Sequence, residues 1–332
     1  MTGVDTTTMT AWVAPRYGGS EVLRTELVPI PAPGEREVVV RVGAASLCSG
    51  DLHLLTGTPY LLRLGFGLRR PKRPAIGQNL AGEVSAVGAG VTEFAVGDRV
   101  FGTVPSGAFA GYATASVDTL AIVPAALSME EAAAIPDSGM TALQGLRDIG
   151  AVRPGQRVLI NGASGGVGSF AVQIAKVMGA HVTAVCSTRH VDMVRGIGAD
   201  VVIDYTADDF TRTDERYDVI FDLAGNRTLR ECRRAMTADG VFVSSAAAPG
   251  DNWFGPVRWL AAVALTDLTT RQTLQALLMR PAAADLTYLA GLAAAGSLRP
   301  VIERRIPLRE ADSAIEQFAR GHASGKTVLT VS

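Results

Sequence analysis

Only three cysteines, Cys48, Cys186 and Cys232, occur in 332 residues. That number cannot build an extracellular disulfide framework, so a reducing compartment is expected. An excess of charge of one sign is missing too. The formal net charge is -1, which gives no broad attraction to nucleic acid or to an anionic membrane. Long apolar runs are absent: the stretch 259–265 is too short to span a bilayer and Asp267 follows it. Residues 1–5 show neither a basic n-region nor an apolar h-region, so no secretory signal is expected. Solenoid-period repeats and low-complexity tracts are also lacking, apart from mild alanine enrichment over 282–295. These absences leave a cytoplasmic globular chain, 48% hydrophobic and 19% charged, long enough for about two domains.

The chain changes texture along its length. To about residue 125 it reads as short strands broken by Gly and Pro, such as 38–42, 83–87 and 99–101, which suggests a partly open β-barrel. One basic run, Leu68-Arg69-Arg70-Pro71-Lys72-Arg73, reads either as a solvated loop or as a contact for an anion or acidic substrate. From Ser128 the chain turns Ala-rich and helical, and Ser128 with Glu131 has capping-box spacing. Beyond the turn at 153–156, strand-like segments at 157–161, 181–186, 201–203, 218–223 and 240–245 alternate with helical ones. In the first of those helices Val167, Phe170, Ala171, Ile174, Ala175 and Met178 form one apolar stripe. Repeated βα units with buried strands imply an α/β fold with a doubly wound parallel sheet. After about residue 298 strands return around a helix at 310–320, which implies that the chain rejoins the first unit.

The segment 158–168, VLINGASGGVG, places a strand, a glycine loop and a helix in order. Its spacing matches G-x-G-x-x-G with Ala163 in the first glycine place, so Ala163, Ser164, Gly165, Gly166, Val167 and Gly168 are the expected pyrophosphate cradle. Bare amides at the helix start face the anion. An NAD enzyme usually has an acidic residue at the end of the second strand. Here that position reads Ser187-Thr188-Arg189, two hydroxyls and a cation, which suits the 2′-phosphate of NADPH.

These residues resemble the medium-chain dehydrogenase/reductases, and within them the zinc-less quinone oxidoreductase (ζ-crystallin-like) branch. The resemblance runs from 17–23, YGGSEVL, through 81–84, 87–91 and 96–102, to the glycine loop, 198–205 and 325–329. It implies a GroES-like β-barrel catalytic domain (1–127 and 272–332) and a Rossmann NADP-binding domain (128–271), with the active site between them. It further implies that Tyr205 and Lys326 approach the cofactor, that Thr141, Ala224, Ser245, Ala246 and Ala247 line the nicotinamide, and that the protein is a homodimer through the exposed edge of the Rossmann sheet.

In zinc-dependent relatives the ligands would fall at Cys48, Gln78 and Asp137, with Asp51 and His53 in supporting places. Gln is a poor zinc ligand and Asn79 removes a further carboxylate, so no metal is expected. Without a Lewis acid a saturated alcohol is a hard substrate, whereas an enone or quinone needs only hydrogen-bond donors for its oxygen and later a proton. His53, Tyr60 and Asp137 are the candidates for that work; His53 also reads as a barrel hydrogen bond and Tyr60 as a packing aromatic, while Asp137 reads as a substrate or proton-transfer group. The apolar residues of 61–68 are read as a wall for a flat substrate. The expected function is NADPH-dependent reduction of an enone or quinone, by a chain that contacts neither nucleic acid nor membrane. The alternatives are an alcohol dehydrogenase or ketone reductase, and a non-catalytic NADPH-binding protein.

Overall fold

Short β-branched runs between glycine and proline breaks pair as strands through the first third of the chain. The computed structural model describes residues 7–245, 255–268, 270–321 and 324–331. An antiparallel ribbon of β1 (Thr8–Val13) and β2 (Arg24–Pro29) comes first. The hub of the barrel is β3 (Glu37–Ser46), whose Val38, Val40 and Val42 are buried in its core. Crossing from β3, the chain forms α1 (Ser49–Thr56) and the short α2 (Arg63–Phe66) before returning as β4 (Asn79–Val87). Then follow β5 (Arg99–Thr103), β6 (Tyr112–Ser116) and β7 (Leu120–Ile122), with β3 paired to both β4 and β6.

The capping box forms as its spacing predicts: Ser128 Oγ accepts the Glu131 amide and the Glu131 carboxylate accepts the Ser128 amide, opening α3 (Met129–Ala134). That helix lies on β3 and β4, and Ser46 Oγ donates to the Ala133 carbonyl. So α3 belongs with the barrel, while the next helix, α4 (Pro136–Gln144), packs on the sheet unit.

Strands β8 (Arg157–Asn161), β9 (His181–Cys186), β10 (Val201–Asp204), β11 (Tyr217–Asp222), β12 (Met236–Ser244) and β13 (Thr273–Ala276) form a parallel sheet. Its order is β10-β9-β8-β11-β12-β13, with α5 (Gly166–Val177), α6 (Val191–Gly196), α7 (Leu229–Arg234) and α8 (Gly255–Asp267) as crossovers. The order reverses between β8 and β11, which opens a crevice at the carboxyl ends of those strands. Because β13 pairs with β12, the sheet runs past the expected boundary at 271. Leu286, Leu289 and Ala293 of α9 (Ala283–Ala294) share the same core. Sequence patterning missed β13 because four residues carry too little periodicity.

The last segment rejoins the barrel as expected. β14 (Ile302–Pro307) pairs with β15 (Lys326–Thr330), which pairs with β3, and α10 (Ala311–Ala319) packs nearby. Ala44, Ala81 and Phe101 of the barrel join Met140, Ile160 and Phe170 in one continuous core. The two units are thus packed together through apolar contact rather than merely linked. Among the described residues no helix is long and apolar enough to cross a membrane.

Candidate active site

At the carboxyl end of β8 the chain turns on Gly162, whose φ of 90° disfavours a side chain. The amides of Gly162 and Ala163 both donate to the Val185 carbonyl, at 3.2 and 3.0 Å. Ala163 is fully buried and its N–H is used by the sheet. This corrects the expected frame: Gly162 makes the tight turn, and Ala163 offers nothing to a phosphate. Gly168 is the packing glycine, since a Cβ there would sit 2.7 Å from Ala163 Cα. Between them Ser164, Gly165, Gly166 and Val167 are half-buried at the start of α5, where first-turn amides have no acceptor within the helix. That open, amide-lined turn suits a dinucleotide pyrophosphate.

Two strand-end residues missing from the sequence reading organise the crevice. Asp222, buried at the end of β11, accepts from Asn161 Nδ2 at 2.8 Å and from the amides of Ala224 and Gly225 at 3.2 and 3.0 Å. Burial raises its pKa, and those donors oppose the rise. The only signal for this pair was a polar residue ending each of two adjacent apolar strands. Ala224 is exposed beside Asp222, and Ser245 is exposed at the end of β12. Thr141 is buried, its Oγ1 donating to the Asp137 carbonyl at 2.7 Å. Ala246 and Ala247 lie outside the described residues.

Past the end of β9, Ser187 leads into a short helical turn, Thr188–His190, where Thr188 and Arg189 are exposed. A carboxylate stands nearby after all: Asp204 ends β10 opposite Cys186. Hydrogen bonds from Thr188 and then Thr206 hold its pKa low, so it is anionic. Its Oδ1 accepts from the Thr206 amide and hydroxyl, which ties it into the turn. Tyr205 is exposed and its amide donates to the Cys186 carbonyl.

Below the glycine loop lies a buried polar cluster. Lys326 is buried, its ammonium donating to the Leu47 carbonyl at 2.7 Å and to Ser138 Oγ at 3.2 Å. It meets the cofactor loop with its aliphatic stem, Cδ lying 3.2 Å from where a Cβ on Gly166 would sit. The side of Lys326 turned to the glycine loop is therefore its stem, with the charge held by protein. Asp51, also buried, accepts the Cys48 amide at 2.9 Å with one oxygen, while the other oxygen has no partner. Burial raises Asp51 to a pKa of about 7. Burial also raises Asp137, against the pull of Lys326.

The zinc-ligand positions do not fit a catalytic zinc. Cys48 Sγ donates to Gln78 Oε1 at 3.6 Å, and burial, with Asp51 and Asp137, pushes the thiol pKa well up. A zinc ligand must be the thiolate. Asn79 Oδ1 is occupied by the Asp137 amide at 3.0 Å. No three His, Cys, Asp or Glu side chains among the described residues converge on a point that could hold a metal ion.

His53 and Tyr60 flank the turn that leaves α1. His53 Nδ1 lies 2.7 Å from the Thr58 carbonyl oxygen. A carbonyl only accepts, so Nδ1 carries the proton and Nε2 of the neutral ring is an acceptor. The barrel hydrogen bond thus occupies one ring nitrogen and leaves Nε2 outside it. Tyr60 has the Arg63 guanidinium 4.6 Å from its ring centre. The expected apolar wall is not formed by the leucines here: Leu61, Leu64 and Leu68 face solvent. Phe66 instead lines a cavity of about 250 Å³ with Leu54, Ile76 and Pro105, away from every cofactor residue named above.

Comparison with known proteins agrees with this architecture. Residues 34–129 match the family described as the alcohol dehydrogenase GroES-like domain, and residues 197–329 the family described as zinc-binding dehydrogenase. The chain is 34% identical over 329 residues to the quinone oxidoreductase of Pseudomonas aeruginosa, covering 94% of this chain and 97% of that one. It is 32% identical over 326 residues to the chloroplast envelope quinone oxidoreductase homolog of Arabidopsis thaliana, covering 94% and 95%. Among solved structures, Escherichia coli quinone oxidoreductase complexed with NADPH matches with a TM-score of 0.81 at 26% identity, over 97% of this chain and 99% of that one. With the barrel, the doubly wound sheet, the glycine loop and an altered ligand set in place, the chain belongs to the medium-chain dehydrogenase/reductase superfamily, in its zinc-less quinone oxidoreductase branch.

Proposed function

We propose that this protein is an NADPH-dependent, zinc-independent reductase of quinones or of double bonds conjugated to a carbonyl. The observation that carries the reading is the pairing of the Cys48 thiol with the Gln78 amide in the place where a zinc-dependent relative would bind its metal. Such a site has no Lewis acid of its own to polarise an alcohol oxygen. Bound NADPH supplies the hydride. What the chain must add is a dry cleft and donors for a carbonyl oxygen that gains charge. Tyr60 offers a phenolic O–H in its neutral form. His53 can donate from Nε2 only as imidazolium, because Nδ1–H is taken by Thr58. That division makes Tyr60 the oxyanion donor and His53 the proton source. Asp137, which burial holds toward its protonated form, is the second proton-holding group.

NADPH over NADH is supported by exposed Arg189 beside the Thr188 hydroxyl, with Asp204 turned into its own hydrogen bonds. The E. coli relative matched above was solved with NADPH. The edge strand β13 also supports the homodimer, since its outer side is unpaired among the described strands.

The test is NADPH oxidation by chelator-treated protein against quinones, enones, aldehydes and ketones. Turnover confined to quinones or enones is expected. Turnover on alcohols or ketones that returns only with added zinc would overturn the reading. NADPH binding without oxidation of any substrate would leave a binding protein in its place.

A further inference from the structure

Residues 60–74 contain five cations and no carboxylate, in a chain whose net charge is only -1. The fold gives these cations two different jobs. Arg63 holds the loop in shape: it donates to the carbonyls of Gly57 and Thr56 at 2.9 and 3.1 Å, and its guanidinium lies 4.4 Å from the ring centre of Tyr17. The Tyr17 hydroxyl donates to the Gly67 carbonyl at 2.6 Å, and the Lys72 amide to the Phe66 carbonyl at 2.7 Å. Arg69, Arg70, Lys72 and Arg73 are exposed, and none has a carboxylate partner among the described residues. Glu26, which lines the same groove as Arg69, Arg70 and Lys72, is already paired with Arg24.

Apolar side chains are interleaved with these charges. Leu64 and Leu68 are 69% and 68% exposed, and Leu61 and Phe66 are exposed beside them. Four large apolar side chains exposed within eight residues of one ordered loop mark a surface that something covers. A small ligand in the cavity beneath the loop, or in the groove lined by Leu68, Arg69, Arg70 and Lys72, would not cover Leu64, which lines neither. A flat surface that is anionic outside and apolar beneath satisfies both sets of residues together. The whole-chain charge, which argued against a membrane, averages this local concentration away.

We propose that the 60–74 loop is a docking surface for an anionic lipid bilayer, with Leu64 and Leu68 entering the headgroup boundary and Arg69, Arg70, Lys72 and Arg73 on the headgroups. Binding is peripheral and reversible, since four short contacts fall far short of a spanning helix. The loop is ordered by Arg63 and Tyr17 before it meets the surface, so little conformational freedom is lost on docking.

The test is co-sedimentation of the full chain with vesicles of phosphatidylcholine alone and of phosphatidylcholine with phosphatidylglycerol. Binding confined to the anionic vesicles and weakened by salt is expected. Each Lys or Arg near an anionic surface raises partitioning about fivefold, so the Arg69→Ala, Arg70→Ala double variant should bind roughly 25-fold more weakly. The Arg69→Lys, Arg70→Lys variant should keep its binding, and Leu64→Ser, Leu68→Ser should lower it without removing the salt dependence. Equal binding to both vesicle types, or binding untouched by the alanine pair, would overturn the proposal. So would a change in the protein's assembly size in the Leu64→Ser, Leu68→Ser variant without vesicles, which would make the patch a subunit contact.

Discussion

Asp51→Asn tests the physical reading of the buried cluster most directly. Asp51 is 2% exposed, and burial raises its pKa from an unfolded value near 3.8 to about 7. A carboxyl raised on folding contributes stability that is fully present below the unfolded pKa and is lost as pH rises through the folded one. At 1.36 kcal/mol per pKa unit, the loss for Asp51 is on the order of 4 kcal/mol once the group is ionised, and more than half of it falls between roughly pH 5 and pH 8. Asn does not titrate, and its amide oxygen can still accept the Cys48 N–H. The new NH₂ group adds a penalty that does not change with pH. Carboxyls other than Asp137, whose charge is felt by Asp51, are common to both proteins and cancel in the difference. Urea unfolding at about pH 5 and about pH 8 should therefore show the variant gaining roughly 2–3 kcal/mol on the wild type. Parallel losses in the two proteins would mean that Asp51 is ionised at little cost, and the desolvation argument for the whole cluster would fall with it.

Four further outcomes follow from the same geometry. Arg189→Ala should raise the KM for NADPH about tenfold or more and leave that for NADH nearly unchanged, as initial-rate kinetics with the two cofactors will show. The His53→Ala, Tyr60→Phe double variant should lower kcat by roughly 10²-fold while NADPH affinity, read by fluorescence titration, stays near wild type. In Gly168→Ala the new Cβ meets backbone of the turn, which cannot step aside. A loss of about 1–3 kcal/mol in urea unfolding should accompany weaker NADPH binding. Lys326→Met removes the cation that opposes the rise in Asp51 and Asp137. The fall in stability with rising pH should begin at the same pH but extend further upward, and an unchanged profile would show that Lys326 is electrostatically silent.

The residues explain what was legible and what was not. Strands β8 and β9 were readable to the residue because apolar runs end sharply at turn signals, and the apolar stripe of α5 is buried as its spacing predicts. The glycine loop was found by composition but framed one residue off. Only the positive φ at Gly162 and the use of the Ala163 amide by Val185 reveal which residue makes the turn. Pattern reading also could not see Asp204 as a neighbour of Thr188, since parallel pairing of β10 with β9 brings together residues far apart in sequence. Asp222 and Asn161 were invisible for the same reason. His53 was read as either structural or catalytic, whereas a ring with two nitrogens can serve both uses.

Two contacts made by consecutive residues of the final segment explain why the site belongs to neither unit alone. The Gly325 amide donates to the Ser164 carbonyl in the glycine loop at 2.9 Å. Its neighbour Lys326 sends its ammonium between Leu47, just before α1, and Ser138 on α4. A strand of the barrel is thereby pinned to the cofactor turn of the sheet, and the cation that tempers Cys48, Asp51 and Asp137 is delivered from the same place. Any displacement of the glycine loop must therefore pull on the strand that carries that cation. The glycine loop and the cation beside the buried acids are thus held by neighbouring residues of one strand, although the participating segments are distant in the sequence. An intact return of the chain to the barrel is thus a requirement of the site itself, beyond its contribution to stability.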